Sequence, residues 1–246
     1  MSEELVVEIK DIVKRYSSSR KIAVNGLTLN ITQGERFGLL GPNGTGKTTT
    51  IKAVCGLIRY NSGSIRIFDG LVPTHMSRVK HLVGYVPQDF ALYPTLSGLE
   101  NMKVFGALYG IDSRALKSTI NELLAKYGLY EHRNKLVGHY SGGMRRRLNL
   151  IVGIMHNPKL LILDEPTTGI DIQSKKIIMD GLLELNRDGT TLLYTSHDLA
   201  EAQQLCSRFA VLDEGRKIFE GCLEDVKSMD SLEELYLSLT GHAVRD

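Results

Sequence analysis

The chain has 246 residues, 42% hydrophobic and 24% charged, with 24 Gly and only 6 Pro, values that exclude wholesale disorder, a collagen-like repeat and an extended coiled coil. Thirty Lys and Arg against 28 Asp and Glu leave a formal charge of +2, too small an excess to argue for a nucleic-acid partner or an acidic membrane as a binding surface. No apolar run approaches the roughly 18 residues that would span a bilayer, and the acidic, alternating start MSEELVVEIK is unlike a signal peptide.

In chain order, residues 5–13 (LVVEIKDIV) and 27–31 (LTLNI) are rich in apolar and β-branched residues, alternating most clearly in the second run. They predict strands with one wet face and an antiparallel opening. Phe37-Gly38-Leu39-Leu40 is the first of three short, almost continuous apolar runs; the others are Leu160-Leu161-Ile162-Leu163 and Thr191-Leu192-Leu193-Tyr194. Such runs suit central strands of a parallel sheet, buried on both faces. Helices are expected between them. Ser97 and Glu100 make a capping box for a helix reaching to about Tyr109. Asp112 caps a second helix, with Leu116, Ile120, Leu123, Leu124 and Tyr127 on one face and Gly128 at its stop. A third carries Met144, Leu148, Ile151, Val152 and Met155 and ends at Asn157-Pro158. Residues 212–219 predict a late hairpin, and the tail from about 222 reads as helical and polar. Three widely spaced cysteines, Cys55, Cys206 and Cys222, form no zinc-like pair and are expected to be buried thiols in a reducing cytosol.

Chemistry concentrates at a few places. Gly41-Pro42-Asn43-Gly44-Thr45-Gly46-Lys47-Thr48 matches the phosphate-loop pattern G-x4-G-K-[ST], with an apolar strand before it and a helix-forming run (48–58) after it. Its glycines let backbone N–H groups turn inward on phosphate oxygens, and the helix start adds a positive dipole end. Lys47 reaches the β- and γ-phosphates in this arrangement, and the Thr48 hydroxyl ligates magnesium. The apolar run at 160–163 leads into Asp164-Glu165. Adjacent strand residues point to opposite sides, so the two acids take different tasks: Asp164 holds magnesium through water, and Glu165 orients or deprotonates an attacking water. Tyr140-Ser141-Gly142-Gly143-Met144 stands at the start of the third helix and offers several N–H donors to an anion, or is simply a capped helix with a flexible entry. Arg145-Arg146-Arg147 reads as a solvated face, although three cations oppose the dipole there.

With these motifs in place the chain resembles, over essentially its whole length, the nucleotide-binding subunit of an ATP-binding cassette (ABC) transporter. The resemblance rests on six elements in family order: the phosphate loop at 41–48, YVPQ at 85–88, SGGM at 141–144, LLILDEP at 160–166, Gly169-Ile170-Asp171, and Ser196-His197. It implies an α/β fold: a P-loop NTPase core with a mostly parallel sheet, an N-terminal antiparallel β subdomain within 1–36 and 60–75, and a helical signature subdomain at about 90–157. The whole of 1–246 would be one ABC ATPase domain with a short helical tail at about 222–246. It further implies ATP and Mg2+ as ligands. Tyr16 matches the aromatic that stacks on adenine, for which any base offers a π-face. The nucleotide set comprises Asn43, Gly44, Thr45, Gly46, Lys47, Thr48 and Thr49. Gln88 matches the glutamine that senses magnesium and the attacking water, and His197 the switch histidine at the γ-phosphate. Magnesium would be held by Thr48, Gln88 and Asp164, and catalysis carried by Lys47, Gln88, Glu165 and His197.

In this family two cassettes pack head to tail, so that Ser141, Gly142 and Gly143 meet the nucleotide on the opposite chain and Asp171 reaches across to it. The resemblance thus implies a homodimer or a heterodimer with a related cassette, bound to integral membrane permease subunits. The chain would lie in the cytoplasm at the inner face of the membrane, with no nucleic acid involved. Phe90, Leu92 and Tyr93 are candidates for the docking surface. The sequence departs from the commoner pattern at Tyr140 and Met144, where many members have Leu and Gln, and at Gly98, before Leu99-Glu100-Asn101. No acidic exporter-type loop precedes Ser141. YSGGM followed by basic residues resembles the ABC-2-type, drug-resistance-like exporter subclass. The alternative is a soluble ABC-type ATP switch, but such proteins usually carry two cassettes or an interrupting coiled coil, and no heptad run separates Lys47 from Ser141. A small-molecule kinase would leave SGGM and His197 unexplained.

Overall fold

A computed structural model describes residues 4–17 and 21–226. They form two units, one from the stretch up to Lys80 together with that from Thr191 onward, the other from His81–Thr190.

The first unit opens with β1 (Leu5–Arg15) and β2 (Ile22–Thr32), paired antiparallel. Their inward faces meet as Val7 opposite Ile31, Ile9 opposite Leu29 and Ile12 opposite Leu27, all buried. Such apolar cross-strand pairs pin the register, since a one-residue slip would turn them into water. β3 (Arg36–Leu40) is followed by the phosphate loop and by α1 (Lys47–Val54). β4 (Ser62–Ile67) and β5 (Gly70–Val72) then complete a four-stranded antiparallel sheet in the order β2-β1-β4-β5, and α2 (Met76–Val79) ends this stretch.

The second unit begins at β6 (Val83–Val86). α3 (Gly98–Leu108) starts at the expected capping box, with Glu100 N donating to the Ser97 hydroxyl and the Glu100 carboxylate accepting from Ser97 N. α4 (Ser113–Lys126) is capped by Asp112, which accepts from Arg114 N and Ala115 N. α5 (Gly142–Ile154) packs against α3, α4 and β6, and is buried from Leu148 through Ile154 on every side. β7 (Leu160–Asp164) lies parallel to β6, and α6 (Ile172–Arg187) packs on α5.

The chain returns to the first unit at β8 (Thr191–Ser196), followed by α7 (Leu199–Leu205), β9 (Arg208–Asp213) and β10 (Arg216–Cys222). β3 lies parallel to both β8 and β9, while β9 and β10 form the late hairpin. The expected helical tail shows only its first turn, α8 (Leu223–Val226); the rest of it lies outside the described residues. Cys55 and Cys206 are buried as expected, and burial pushes the Cys206 thiol up to about 12. Cys222 corrects the expectation: it is exposed, as the last residue of a strand at the sheet edge.

The cap of α3 generates a stability prediction. The Ser97 backbone N–H, then its hydroxyl, hold the Glu100 carboxyl below its ordinary value. Ser97→Ala should lower the unfolding free energy by about 1 kcal/mol at neutral pH, read as a lower denaturant midpoint at unchanged slope. A depressed carboxylate stabilises above its unfolded pKa and ceases to as pH falls through its folded value. The difference between the two proteins should therefore shrink in acid.

Candidate functional site

In the first unit, β3 and β8 pair in register with Leu40 opposite Ser196. The phosphate loop starts at the next residue of one strand and His197 is the next residue of the other, so both leave the carboxyl ends of adjacent parallel strands. That edge is where open α/β sheets bind ligands. Gly46, at the N-cap of α1, has φ +106, and a Cβ there would stand 2.3 Å from Ala23 O. No other residue fits this turn, which aims the first N–H groups of α1 into the loop. Gly215 N donates to Thr45 O (3.1 Å), so the β9–β10 turn supports the loop from outside. Within it, Thr45 Oγ1 donates to Pro42 O (2.9 Å). Lys47 is 4% exposed, and its ammonium donates to Gly41 O (2.7 Å) and Pro42 O (3.0 Å). A buried cation in a glycine-rich loop at the start of a helix is a receptor for a polyanion. Tyr16, 37% exposed, places its hydroxyl 3.5 Å from that of Thr49 on α1, with Lys14 Nζ 4.8 Å from the ring centroid. His197 is exposed, and Asp198 behind it caps α7 by accepting from Glu201 N.

The second unit repeats this logic. β6 and β7 pair with Val86 opposite Leu163, so Gln88 and Asp164-Glu165 leave one end of the pair. Asp164 and Glu165 are both buried, at 1% and 4% exposed. Gln88 Nε2 donates to Glu165 Oε2 (3.3 Å), as does Thr168 Oγ1 (3.2 Å). The two carboxylates are set apart by a different geometry from the expected strand alternation. The strand ends at Asp164, and Glu165 sits in the left-handed region at φ +48, so a turn separates the carboxylates, not strand alternation. Non-glycine residues held at positive φ store strain and cluster at functional sites.

Ser141 caps α5, its exposed hydroxyl accepting from Met144 N (3.2 Å). Gly143 is buried, and a Cβ there would meet Ser174 Oγ at 2.2 Å and Asp171 Oδ2 at 2.6 Å. Asp171 caps α6 by accepting from Ser174 N (2.8 Å), and that backbone bond leads the causes that hold its carboxyl below the ordinary value. The absence of a side chain at Gly143 thus sets the starts of α5 and α6 against each other.

The arginine triplet is not a solvated face. Arg146 is 6% exposed and donates to Gln88 O (2.6 Å) and more weakly to Thr168 O (3.4 Å). Burial pulls the guanidinium down from its usual value, opposed by the charges of Asp89 and Glu165. One turn on, buried Asn149 donates to Pro87 O (3.1 Å) and accepts from Ala91 N (3.2 Å). These two side chains clamp the segment carrying Gln88 onto α5, and sequence reasoning missed both. The available signal was spacing: Arg146, Asn149, Leu150 and Gly153 share a helical face, so a charge on it had to be buried. Arg147 instead caps the end of α4, donating to Tyr127 O (2.8 Å). The Phe90 ring lies under Arg145 and Arg146, with centroid distances of 5.1 and 4.8 Å, and remains 37% exposed. Leu92 is half-buried, and Tyr93 is exposed and tilted against Phe105. Among the described residues no three or more His, Cys, Asp or Glu side chains gather as a metal site, and no helix is long and apolar enough to cross a membrane.

Arg146→Met keeps the apolar stem and removes the guanidinium. Hydrogen bonds to charged donors contribute about 1.5–3 kcal/mol, so the variant should lose about 2 kcal/mol of stability and speed amide exchange across 88–91. Unchanged exchange there would show that the clamp does not hold the segment.

The ABC transporter family model matches residues 24–168. The linearmycin resistance ATP-binding protein of Bacillus subtilis (strain 168) is 40% identical over 223 residues, covering 91% of this chain and 71% of that protein. The Nod factor export ATP-binding protein I of Burkholderia lata is 40% identical over 215 residues, covering 87% and 70%. A solved ATP-binding subunit of an ABC transporter is similar with a TM-score of 0.87 at 28% identity, covering 96% of this chain and 99% of that one. A dimeric ATP-binding cassette in a post-hydrolysis state, bound to ADP and phosphate, is similar with a TM-score of 0.80 at 26% identity, covering 88% and 98%.

Proposed function

Because this chain belongs to the ABC transporter family, as an ATP-binding and ATP-hydrolysing subunit of the exporter type, we propose the following division of labour among its residues. The observation that carries it is the phosphate loop at the carboxyl end of β3, with Lys47 buried in it and His197 leaving the paired strand beside it. The loop binds the phosphates of ATP through the N–H groups of residues 43–49, and Lys47 neutralises the β- and γ-phosphates. Tyr16 stacks on the adenine, and His197 contacts the γ-phosphate.

The chemistry of the donors fits magnesium. Thr48 supplies a hydroxyl, Gln88 an amide carbonyl and Asp164 a carboxylate, all hard oxygen ligands, and so few protein groups suit an ion that shares its coordination with substrate phosphates and water. When bound, the ion neutralises charge developing on the phosphates. Glu165, held by Gln88 and Thr168, orients or deprotonates the attacking water. Ser141, Gly142 and Gly143 present α5 to the γ-phosphate of ATP on a partner cassette, and Asp171 reaches toward the same partner. That partner is a second copy or a related cassette.

ATP closes this dimer and hydrolysis releases it, a two-state switch biased by the γ-phosphate. The switch drives separate integral membrane permease subunits, which place the chain peripherally at the cytoplasmic face of the membrane. Phe90, Leu92 and Tyr93 offer the permease an apolar surface beside the clamped Gln88 segment.

Two substitutions test the assignment. Glu165→Gln should still bind ATP and dimerise but turn over at least about a hundredfold more slowly. Near-normal turnover in a steady-state phosphate-release assay would overturn the role of Glu165. Lys47→Ala should lose nucleotide affinity in a fluorescent-nucleotide titration, and unchanged binding would remove the phosphate loop as the site.

A further inference from the structure

Two residues far apart in the chain, Gly98 and Tyr140, meet in the second unit. A Cβ built on Gly98, the first residue of α3, would stand 2.3 Å from the Tyr140 hydroxyl oxygen and 3.3 Å from its Cζ. A tyrosine tip can often swing aside, but this one is anchored. Tyr140 is 4% exposed and its hydroxyl donates to His132 O at 2.8 Å, so displacing it breaks a part-buried hydrogen bond.

The contact sits within a main-chain zipper. Gly138 N donates to Pro94 O (2.8 Å), Val137 N to Leu96 O (2.9 Å) and Leu99 N to Arg133 O (2.8 Å), while Ser97 and Leu136 form an antiparallel bridge. Asn101 is fully buried and ties down the near side of the zipper, donating to Tyr93 O (3.0 Å) and Ser97 O (2.9 Å) and accepting from Tyr93 N (2.8 Å). At the far side Tyr140 N donates to Val137 O (3.0 Å), and the next residue is Ser141, the cap of α5. The last ring before the signature turn is therefore seated on the start of α3, and only a glycine at position 98 leaves room for it.

We infer that Tyr140 is a positioning residue for the signature turn and that Gly98 is its socket, the pair fixing where Ser141 and the first N–H groups of α5 are presented to the partner chain's nucleotide. The inference rests on the proposed reading of Ser141–Gly143 as a receptor for ATP held on a partner cassette. Tyr140 does not touch nucleotide. It acts through the serine that follows it, and the zipper connects it to the segment that exposes Phe90 and Tyr93.

The test uses the full chain carrying Glu165→Gln, with MgATP binding and ATP-driven dimerisation measured separately, the latter by analytical ultracentrifugation. Overpacking a fixed contact is costly and couples the two sites, so Gly98→Ala should weaken the ATP dimer about tenfold while MgATP affinity changes by less than about twofold. Tyr140→Phe, which loses only the hydroxyl, should weaken the dimer about twofold. The double variant should behave like Tyr140→Phe alone, because the new methyl then faces a ring carbon at 3.3 Å, a contact a small shift relieves. Normal dimerisation of Gly98→Ala, or a double variant as impaired as Gly98→Ala, overturns the inference. A joint loss of MgATP affinity and thermal stability in Gly98→Ala makes the contact merely structural and overturns it too. If the Glu165→Gln parent fails to dimerise with ATP, the partner-facing reading of the signature turn falls first and takes the inference with it.

Discussion

Holding a triphosphate with main-chain N–H groups imposes one demand: helices must begin where parallel strands end. Parallel strands put all their carboxyl ends on one side, so groups distant in sequence collect there without any contact between the segments that join them. The first unit meets the demand with β3 and β8, whose in-register pairing brings Gly41 and His197 out at neighbouring strand ends. In the second unit β6 and β7 lead into turns instead of helices, and their paired ends deliver Gln88 and Glu165 to each other. The phosphate loop, His197, Gln88 and Glu165 all leave these two strand pairs, while Tyr16 follows the end of β1, with its hydroxyl beside Thr49 of α1.

Within the second unit α5 joins the Ser141 turn to the segment that carries Gln88. Its first turn is the signature, exposed at Ser141. Its second turn carries Arg146 and Asn149 inward to the backbone of residues 87–91. Burying a guanidinium is expensive, and the cost is offset here because main-chain carbonyls accept from it and an aromatic face covers it. The main-chain carbonyl of Gln88 is thus tied to α5, while its side-chain amide donates to Glu165. The same helix start lies close to Asp171 and Ser174 because Gly143 has no side chain, so three segments are packed into one set.

What could be read from the residues was local. The phosphate loop needs only consecutive positions and a strand–helix context, and both caps of α3 and α4 were visible because a capping side chain and its N–H lie within three residues. The two long antiparallel strands and the three apolar runs announced themselves by their patterns of apolar residues. Arg145, Arg146 and Arg147 were not separable that way. Successive helical residues point about 100° apart, so three identical charges take three fates: Arg145 over the Phe90 ring, Arg146 buried on Gln88 and Arg147 capping α4. Which goes where depends on what packs against each side. Glu165's left-handed backbone was equally hidden, since nothing in LLILDEP says where the strand stops.

By itself the sequence determined the identity of the chemistry: the glycine-rich turn, the lysine, the carboxylates and the signature serine, together with the parallel-sheet class that presents them. Those are matters of residue type and short spacing, which one-dimensional order records in full. Tertiary structure alone decided how the parts restrain one another. Gly98 and Tyr140 stand far apart in the chain, and nothing in the sequence links one to the other. Only packing makes them one contact, because a methyl group at one position and a ring at the other would have to occupy the same space.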